Sequence, residues 1–405
     1  MPAALQVLDH VATNTNRGLF PQKGAGFQTL QAAAALIGTP DLRCLEEMAT
    51  YYEVDAARRA SGDLPVRETF FQLPSGRVAV GRTRDAGVGP GGRAGNSLAH
   101  HVVIERAVFQ AVGADPFAVL EAADPAPPGP AGDPAPLPPR EIRPEPPAPG
   151  TGNPALAPAF WSALLAPLLH GEPITLLLVG PETRTRLILR RLLWALDPEV
   201  RAGITFATHF SRCCASTRGA FRIATVRSRS EGPSADPQLR VLEVEGAAPA
   251  AAGEGPYAAW LGQALGGGNL EAIGAFQQVL AALRRSGALP EGTAPTDPDT
   301  LAALCERAGP LAVTGLPRAA GPIAALLPRL PAPHPVAAAL LLHHPPAELV
   351  GAAAGETVTD AMAAERLRSL QGASPPEAWR TWTQKWSADP HLARLRRPGW
   401  MWWKR

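Results

Sequence analysis

Pro125-Ala126-Pro127-Pro128-Gly129-Pro130 opens a tract that closes on Pro144-Glu145-Pro146-Pro147-Ala148-Pro149, and 12 of the 25 residues from Pro125 to Pro149 are proline. A stretch so poor in apolar side chains and backbone donors cannot bury enough surface to offset its ordering entropy. The reading it dictates is an extended, semi-rigid polyproline spacer, with the chain on either side folding separately. The expected organisation is an α+β N-terminal domain at 1–122, a proline-rich linker at 123–154, an α/β middle sheet domain at 155–248, and a mostly α-helical C-terminal region at 249–405. A chain of 405 residues is expected to hold two or three domains at roughly 100–200 residues each.

With 38 basic and 36 acidic side chains the net charge is only +2, which predicts no strong bulk attraction to nucleic acid or an anionic membrane. Hydrophobic residues at 46% suit a soluble globular chain. The four cysteines, Cys44, Cys213, Cys214 and Cys305, show neither paired C-x-x-C spacing nor a secreted disulfide pattern. Aliphatic runs such as Ile174 to Val179 are far shorter than the roughly 20 residues that cross a bilayer, and the start of the chain lacks a signal-peptide pattern. A cytoplasmic setting without metal or cofactor is the expectation.

In the first region Leu5 to Ala12 reads as a strand and Asn14 to Gly26 as a glycine-rich connection. Thr39-Pro40 caps a helix over Asp41 to Tyr52, whose Leu42, Leu45, Met48 and Ala49 share a face. Glu68 to Leu73 and Arg77 to Arg82 flank Pro74-Ser75-Gly76, the pattern of a hairpin. A glycine-dense loop from Gly87 to Asn96 then leads into an apolar strand carrying His100 and His101, which alternation sends to opposite faces. The spacing of Asn96 and His100 also fits a turn that brings amide and imidazole together.

The order Arg17-Gly18, Gly24-Ala25-Gly26-Phe27-Gln28, hairpin, Gly92-Arg93-Ala94-Gly95-Asn96 and Ala99-His100 resembles the N-terminal domain, type two, of the GTPase-associated protein family. The resemblance implies an α+β domain without an assigned activity, in bacterial proteins that accompany GTPases in conflict or signalling systems. Between Arg82 and Gly91 the chain departs from the pattern, with Thr83-Arg84-Asp85-Ala86-Gly87 where an aromatic and a second acidic residue are common. Should a pocket exist, Arg17, Gln28, Arg93, Asn96 and His100 are the expected ligand-binding set, since guanidinium and amide groups suit an anion or nucleotide-like ligand. The alternative for the glycine cluster and histidine strand is a structural turn and core strand.

In the middle region Ile174 to Val179, Gly180-Pro181 and Glu182 to Leu196 form a βα unit, with Arg184, Arg186, Arg190 and Arg191 predicted to make a basic exterior. Further strands are expected at Ile204 to Phe210, Ala220 to Val226 and Leu239 to Val244. Gly180-Pro181-Glu182-Thr183-Arg184-Thr185 lacks the second glycine and lysine of a phosphate-binding loop, which argues against nucleoside triphosphatase chemistry there. The strand, the arginine- and tryptophan-bearing helix and Ile204 to His209 also resemble the middle region of the same family. His209 and Cys213 would share a face only on a helix, whereas the stretch reads as a strand end and turn.

Alanine-rich helical stretches dominate the last region, without a fixed repeat period. Trp400, Trp402, Trp403 and Arg405 make the terminus apolar and cationic, a composition that suits partner binding. Docking on the chain's own Trp379, Trp382 and Trp386 stripe, or on a membrane or nucleic acid, are the competing readings. The leading functional expectation is a non-catalytic adaptor or regulatory component of a GTPase-linked system, with a protein partner such as a GTPase. The alternatives are an N-terminal ligand-binding or enzymatic cleft built on Arg93, Asn96 and His100, and a membrane- or nucleic-acid-associated module.

Overall fold

The structure is a computed structural model that describes residues 4–50, 52, 54, 56–89, 92, 94–123, 134–210, 221–230, 238–246, 256–268, 270, 273–274 and 277. The expected helices beyond these, the tryptophan tail, Arg93, Cys213, Cys214 and Cys305 lie outside the described residues.

The N-terminal half supplies strands β1 (Leu5–Thr15), β2 (Gly26–Ala33), β3 (Arg67–Gln72), β4 (Val78–Val88) and β5 (Ala94–Ile104). Helices α1 (Pro40–Thr50), α2 (Ala56–Ser61), α3 (Arg106–Ala111) and α4 (Pro116–Ala122) join them. α1 begins as its sequence dictates: the Leu42 amide donates to Thr39 Oγ1 at 3.3 Å, and Leu42, Leu45, Met48 and Ala49 are buried. The predicted hairpin is β3–β4, with Gly76 at a φ of +89° in its turn. Farther on come α5 (Pro158–Leu169), β8 (Thr175–Val179), α6 (Glu182–Ala195), α7 (Pro198–Arg201), β9 (Phe206–Ala207), β10 (Ile223–Val226), β11 (Leu239–Glu243) and α8 (Pro256–Gly266).

All strands named join one mixed sheet in the order β11-β8-β10-β9-β3-β4-β5-β1-β2, with a short strand β6 (Ala135–Leu137) at the β2 edge and β7 (Arg140–Ile142) on β1. β8, β9, β10 and β11 pair in parallel, and β1 to β5 pair antiparallel. The two halves meet where Thr69 and Phe70 of β3 face Ala207 and Phe206 of β9. This differs from the spacer expected at 123–154. The described part of that tract, from 134 on, lies on the sheet: β6 runs parallel to β2 and β7 antiparallel to the start of β1. Its prolines are tolerated because β6 is an edge strand that need donate on one side only, and Pro138-Pro139 fall between the two strands.

α6 is the second difference. Instead of presenting a basic exterior, its arginines are spent on neighbours. Arg184 donates to the Pro154 carbonyl at 2.9 Å, Arg191 to the Gly152 carbonyl, Arg186 to Glu68 and Arg190 to Glu121. Ile188, Leu189, Leu192 and Leu193 of the same helix are fully buried, while the heads of Arg184 and Arg191 satisfy the carbonyls of Pro154 and Gly152.

Strand alternation then sets two faces. Leu36, Leu45, Met48, Phe71, Ala79, Val103, Leu177, Ala207 and Ala224 form a core on the α1 face. Residues of the opposite parity, among them Glu68, Arg82 and His100, face α4 and α6. β1 to β11 and their helices belong to one compact unit, Met1–Leu156 with Pro167–Pro249. Ala157–Ala166 and α8 belong to a second, in which a Cβ on Gly262 would come within 2.2 Å of Ser162 Oγ.

Candidate functional site

On the face opposite the α1 core a cleft of about 500 Å³ opens at the join between the parallel and antiparallel halves. Its position follows from topology. Thr208, His209 and Thr225 stand at the carboxyl ends of β9 and β10, and Glu182 and Thr183 begin α6 after β8, so the cleft lies at the carboxyl ends of parallel strands, beside the join where pairing turns antiparallel. β3, β4 and β5 contribute Glu68, Arg82, Arg84, Leu98, His100 and Val102. Leu120 and Ala123 close it from the α4 side.

Glu68, with a side chain only 5% exposed, accepts from Arg186 at 2.7 and 3.0 Å and from Arg82 at 3.2 Å. The bonds to Glu68 raise the Arg186 guanidinium above its ordinary range despite burial. Removing either guanidinium would leave the buried carboxylate one partner in place of two, and removing both would strand it; the triad forms the floor of the cleft. The Glu68 amide in turn donates to Thr208 Oγ1 at 2.7 Å across the β3–β9 join. Arg84 differs from its neighbours: it is exposed, lines the cleft, and has no carboxylate within ion-pair range among the described residues.

At the α6 end, Glu182 accepts from Arg58 of α2 at 2.7 Å and lies 3.7 Å from His209 Nδ1. The His209 bond, with Arg58 and against burial, holds the Glu182 carboxyl below its usual range. His209 has a φ of +49°, a left-handed conformation that costs a non-glycine residue about 1–2 kcal/mol. Its surroundings hold it there: the His209 amide donates to Thr225 Oγ1 at 3.3 Å, and the Tyr52 ring lies 5.7 Å away.

His100 closes the other end. Its Nε2 donates to Asp9 Oδ1 at 2.7 Å, and Asp9 also accepts from Arg140 of β7 at 2.7 and 3.0 Å. Burial opposes ionisation of Asp9, yet the bonds from His100 and Arg140 outweigh it and keep the carboxyl below its ordinary value. The proline tract thus reaches the site through Arg140.

The opposite face holds a second polar cluster. His10 Nδ1 and His101 Nδ1 are 3.2 Å apart, both residues fully buried. Thr29 Oγ1 donates to Glu46 Oε1 at 2.6 Å, so it accepts from His10 Nε2 at 3.2 Å. His10 Nδ1 is then an acceptor, and His101 Nδ1 must carry the proton it receives. That leaves His101 Nε2 a bare, buried lone pair. Burial lowers the His10 imidazole to about 3, and burial beside His10 and Arg67 pushes His101 well below its usual value.

Of the described residues expected at a site, only His100 lines the cleft. Its sheet-mate His101 faces the core, as strand alternation requires. Gln28 instead locks the loop after β1, donating to the Thr15 and Gly24 carbonyls at 3.1 and 2.6 Å. Asn96 lies within β5, four positions along the strand from His100 and not in a turn with it, and its Oδ1 accepts from the Asn14 amide at 3.0 Å. Arg17 is exposed in that loop. Glu68, Arg82, Arg84, Glu182 and Arg186 were not singled out as site residues, because no local motif marks side chains drawn from separate strands and a distant helix. Among the described residues no group of three or more His, Cys, Asp or Glu is placed to hold a metal ion, and no helix is long and apolar enough to cross a membrane.

Residues 8–142 match the family model of GTPase-associated protein 1, N-terminal domain type 2. The matched segment takes in β1 from Leu8 on and runs through β7, and it carries one wall of the cleft; Glu182, Arg186, Thr208 and His209 of the other wall lie beyond it. No curated protein and no solved structure matches the chain.

Proposed function

We propose that this chain is a non-catalytic regulatory component of a GTPase-linked bacterial conflict or signalling system, acting through protein–protein contact with a GTPase, and that the cleft is its recognition site. The GTPase link comes from the matched N-terminal domain. The observation that carries the non-catalytic part is how the cleft's ionisable groups are engaged. Glu68 is held between two arginines, His100 is bound to Asp9, and Glu182 is held by Arg58 beside His209. Groups paired this way recognise charge and shape, and the Asp9 and Glu182 carboxyls, held below their ordinary values, are poorly matched to proton transfer near neutrality, where an efficient general base titrates.

The test is capture of a GTPase from the source organism's lysate by the purified full-length protein, with Arg84→Glu and Leu98→Gln as cleft variants. Co-purification lost in the cleft variants, at unchanged melting temperature, supports the reading. Turnover of a substrate that disappears with the same variants overturns it.

A further inference from the structure

We infer that the cleft binds the free C-terminus of a partner protein, with the terminal carboxylate at Arg84, the apolar side chain of the last residue in the corner beside Leu98, and a basic side chain a few residues earlier at Glu182; this rests on the reading of the cleft as a recognition site. The strand order β5-β4-β3-β9 sets these places in line across the sheet. The corner is at the β5 end. There Leu98 and Val102 point to the same face, with Leu120 and Ala123 against them, and all of them are buried while lining the cleft. Its far side is closed: Asp9 opposes Val102 in the β1–β5 register, and Arg140 of β7 donates both to Asp9, at 2.7 and 3.0 Å, and to the Ala123 carbonyl at 3.3 Å. A chain that enters the corner from the β4 side therefore ends in it, and the lining asks for an apolar side chain.

Arg84 is the direct partner of Leu98 in the β4–β5 register, a spacing of about 4.5–5.5 Å at Cα. An anion and an apolar group that close together belong to one residue carrying both on its Cα, as a free C-terminal residue does; along an extended internal segment the next side chain on the same face is about 6.6 Å away. The charge at the centre has the matching sign: Glu68 is shared by Arg82 and Arg186, and Arg84 stands beside them with no carboxylate in ion-pair range among the described residues. β9 lies two strands from β4, about 10 Å away, which an extended chain covers in about three residues. That stretch passes Val66, 49% exposed, and Thr208, a ledge that suits small uncharged side chains. At its end Glu182 lies 3.7 Å from His209, two residues past β9; the Arg58 and His209 contacts both fall on Glu182 Oε1, so Oε2 keeps its capacity to accept from a cation. A peptide ending in an apolar residue, with Lys or Arg about three positions before it, meets the corner, Arg84 and Glu182 together.

The experiment is fluorescence anisotropy of the full chain with labelled synthetic hexapeptides that end in Leu, Val or Phe and carry Lys, or Ala in its place, about three positions before the end. Each is made with a free carboxylate and with a C-terminal amide, and the set is repeated on Arg84→Ala and Glu182→Gln. At least one free-acid Lys peptide should bind, its amide should bind about tenfold or more weakly because a charge-assisted contact is lost, and Arg84→Ala should abolish that difference. Glu182→Gln should weaken the Lys peptides and spare their Ala counterparts. The inference is overturned if amides bind as tightly as free acids, if Arg84→Ala binds the peptides as the parent does, if Glu182→Gln does not distinguish Lys from Ala peptides, or if none binds. Should none bind while cleft variants still abolish capture of the GTPase, the recognition reading stands and only the C-terminal assignment falls. If cleft variants alter neither peptide binding nor capture, both fall.

Discussion

The buried pair His10 and His101 makes the unit acid-labile in a window where the carboxylates held below their ordinary values, Asp9, Glu46 and Glu182, are still silent. The folded state holds the His10 imidazole at about 3 against an ordinary 6.5. Below pH 6.5 the unfolded chain therefore takes up a proton that the folded chain refuses, so stability falls as pH falls, and it is complete above 6.5. Between pH 6.5 and 4.5 the slope climbs toward about 1.4 kcal/mol per pH unit, and the loss from His10 alone is about 2.3 kcal/mol. His101 shifts in the same direction and adds to it. That is a large part of the 5–15 kcal/mol that typically holds a domain together. Asp9, Glu46 and Glu182 are all lowered below ordinary values of 3.8, 4.5 and 4.5, so their share of stability is lost mainly below this window. Hydrogen exchange of the β1 and β5 peptides, corrected for the intrinsic rate at each pH, measures the effect locally. His10→Gln keeps an acceptor for His101 and a donor for Thr29 but cannot titrate, so it should remove about 1.4 kcal/mol per pH unit of the slope. An unchanged slope in His10→Gln would refute the reasoning.

Two further outcomes follow from the same packing. Gly81→Ala places a Cβ 2.1 Å from His101 Cδ2, in a ring wedged between His10 and the edge of Phe71, and should cost about 1–3 kcal/mol. Thermal unfolding of Gly81→Ala, His101→Ala and the double variant should show the double costing less than the sum, since the ring that clashes is gone; additive costs contradict the contact. Arg201, fully buried and lowered to about 10 by desolvation, donates to the carbonyls of Gly113, Trp194 and Leu196 at 2.6, 2.9 and 2.7 Å. Arg201→Met should destabilise by about 2–4 kcal/mol because those carbonyls lose a charged donor; denaturant unfolding checks it, and a change under about 0.5 kcal/mol contradicts it.

What the sequence made legible was local. The β3–β4 hairpin, the Thr39 cap of α1, the β8–α6 unit and the opposite orientations of His100 and His101 all rest on neighbours within a few residues, and periodicity and turn chemistry report such neighbours. The join between the halves was not legible. β9 is only Phe206–Ala207, too short for alternation to register, and its pairing with Thr69 and Phe70 spans more than 130 positions. The proline tract misled because composition describes a segment's intrinsic preference, whereas β6 and β7 are held by edges that β1 and β2 offer from a distance. The α6 arginines misled for a related reason: charge patterning marks a solvated face unless carbonyls that accept from it, here of Gly152 and Pro154, lie across from it. The cleft draws its polar groups from β3, β4, β5, α6 and the ends of β9 and β10, so no one stretch of chain carries its signature.

That both flanks of the proline tract build a single sheet, and with it the cleft, can be tested by one covalent link. Thr69 and Ala207 are directly opposed in the β3–β9 register, where antiparallel partners stand about 4.5–5.5 Å apart at Cα, a spacing that accepts a disulfide. In a chain whose native cysteines are replaced by serine, Thr69→Cys with Ala207→Cys should oxidise readily, and mass spectrometry of a digest should recover the peptides around 69 and 207 joined through sulfur. Recovery of both peptides unlinked, with each thiol open to alkylation after oxidation, would mean that the two flanks fold apart.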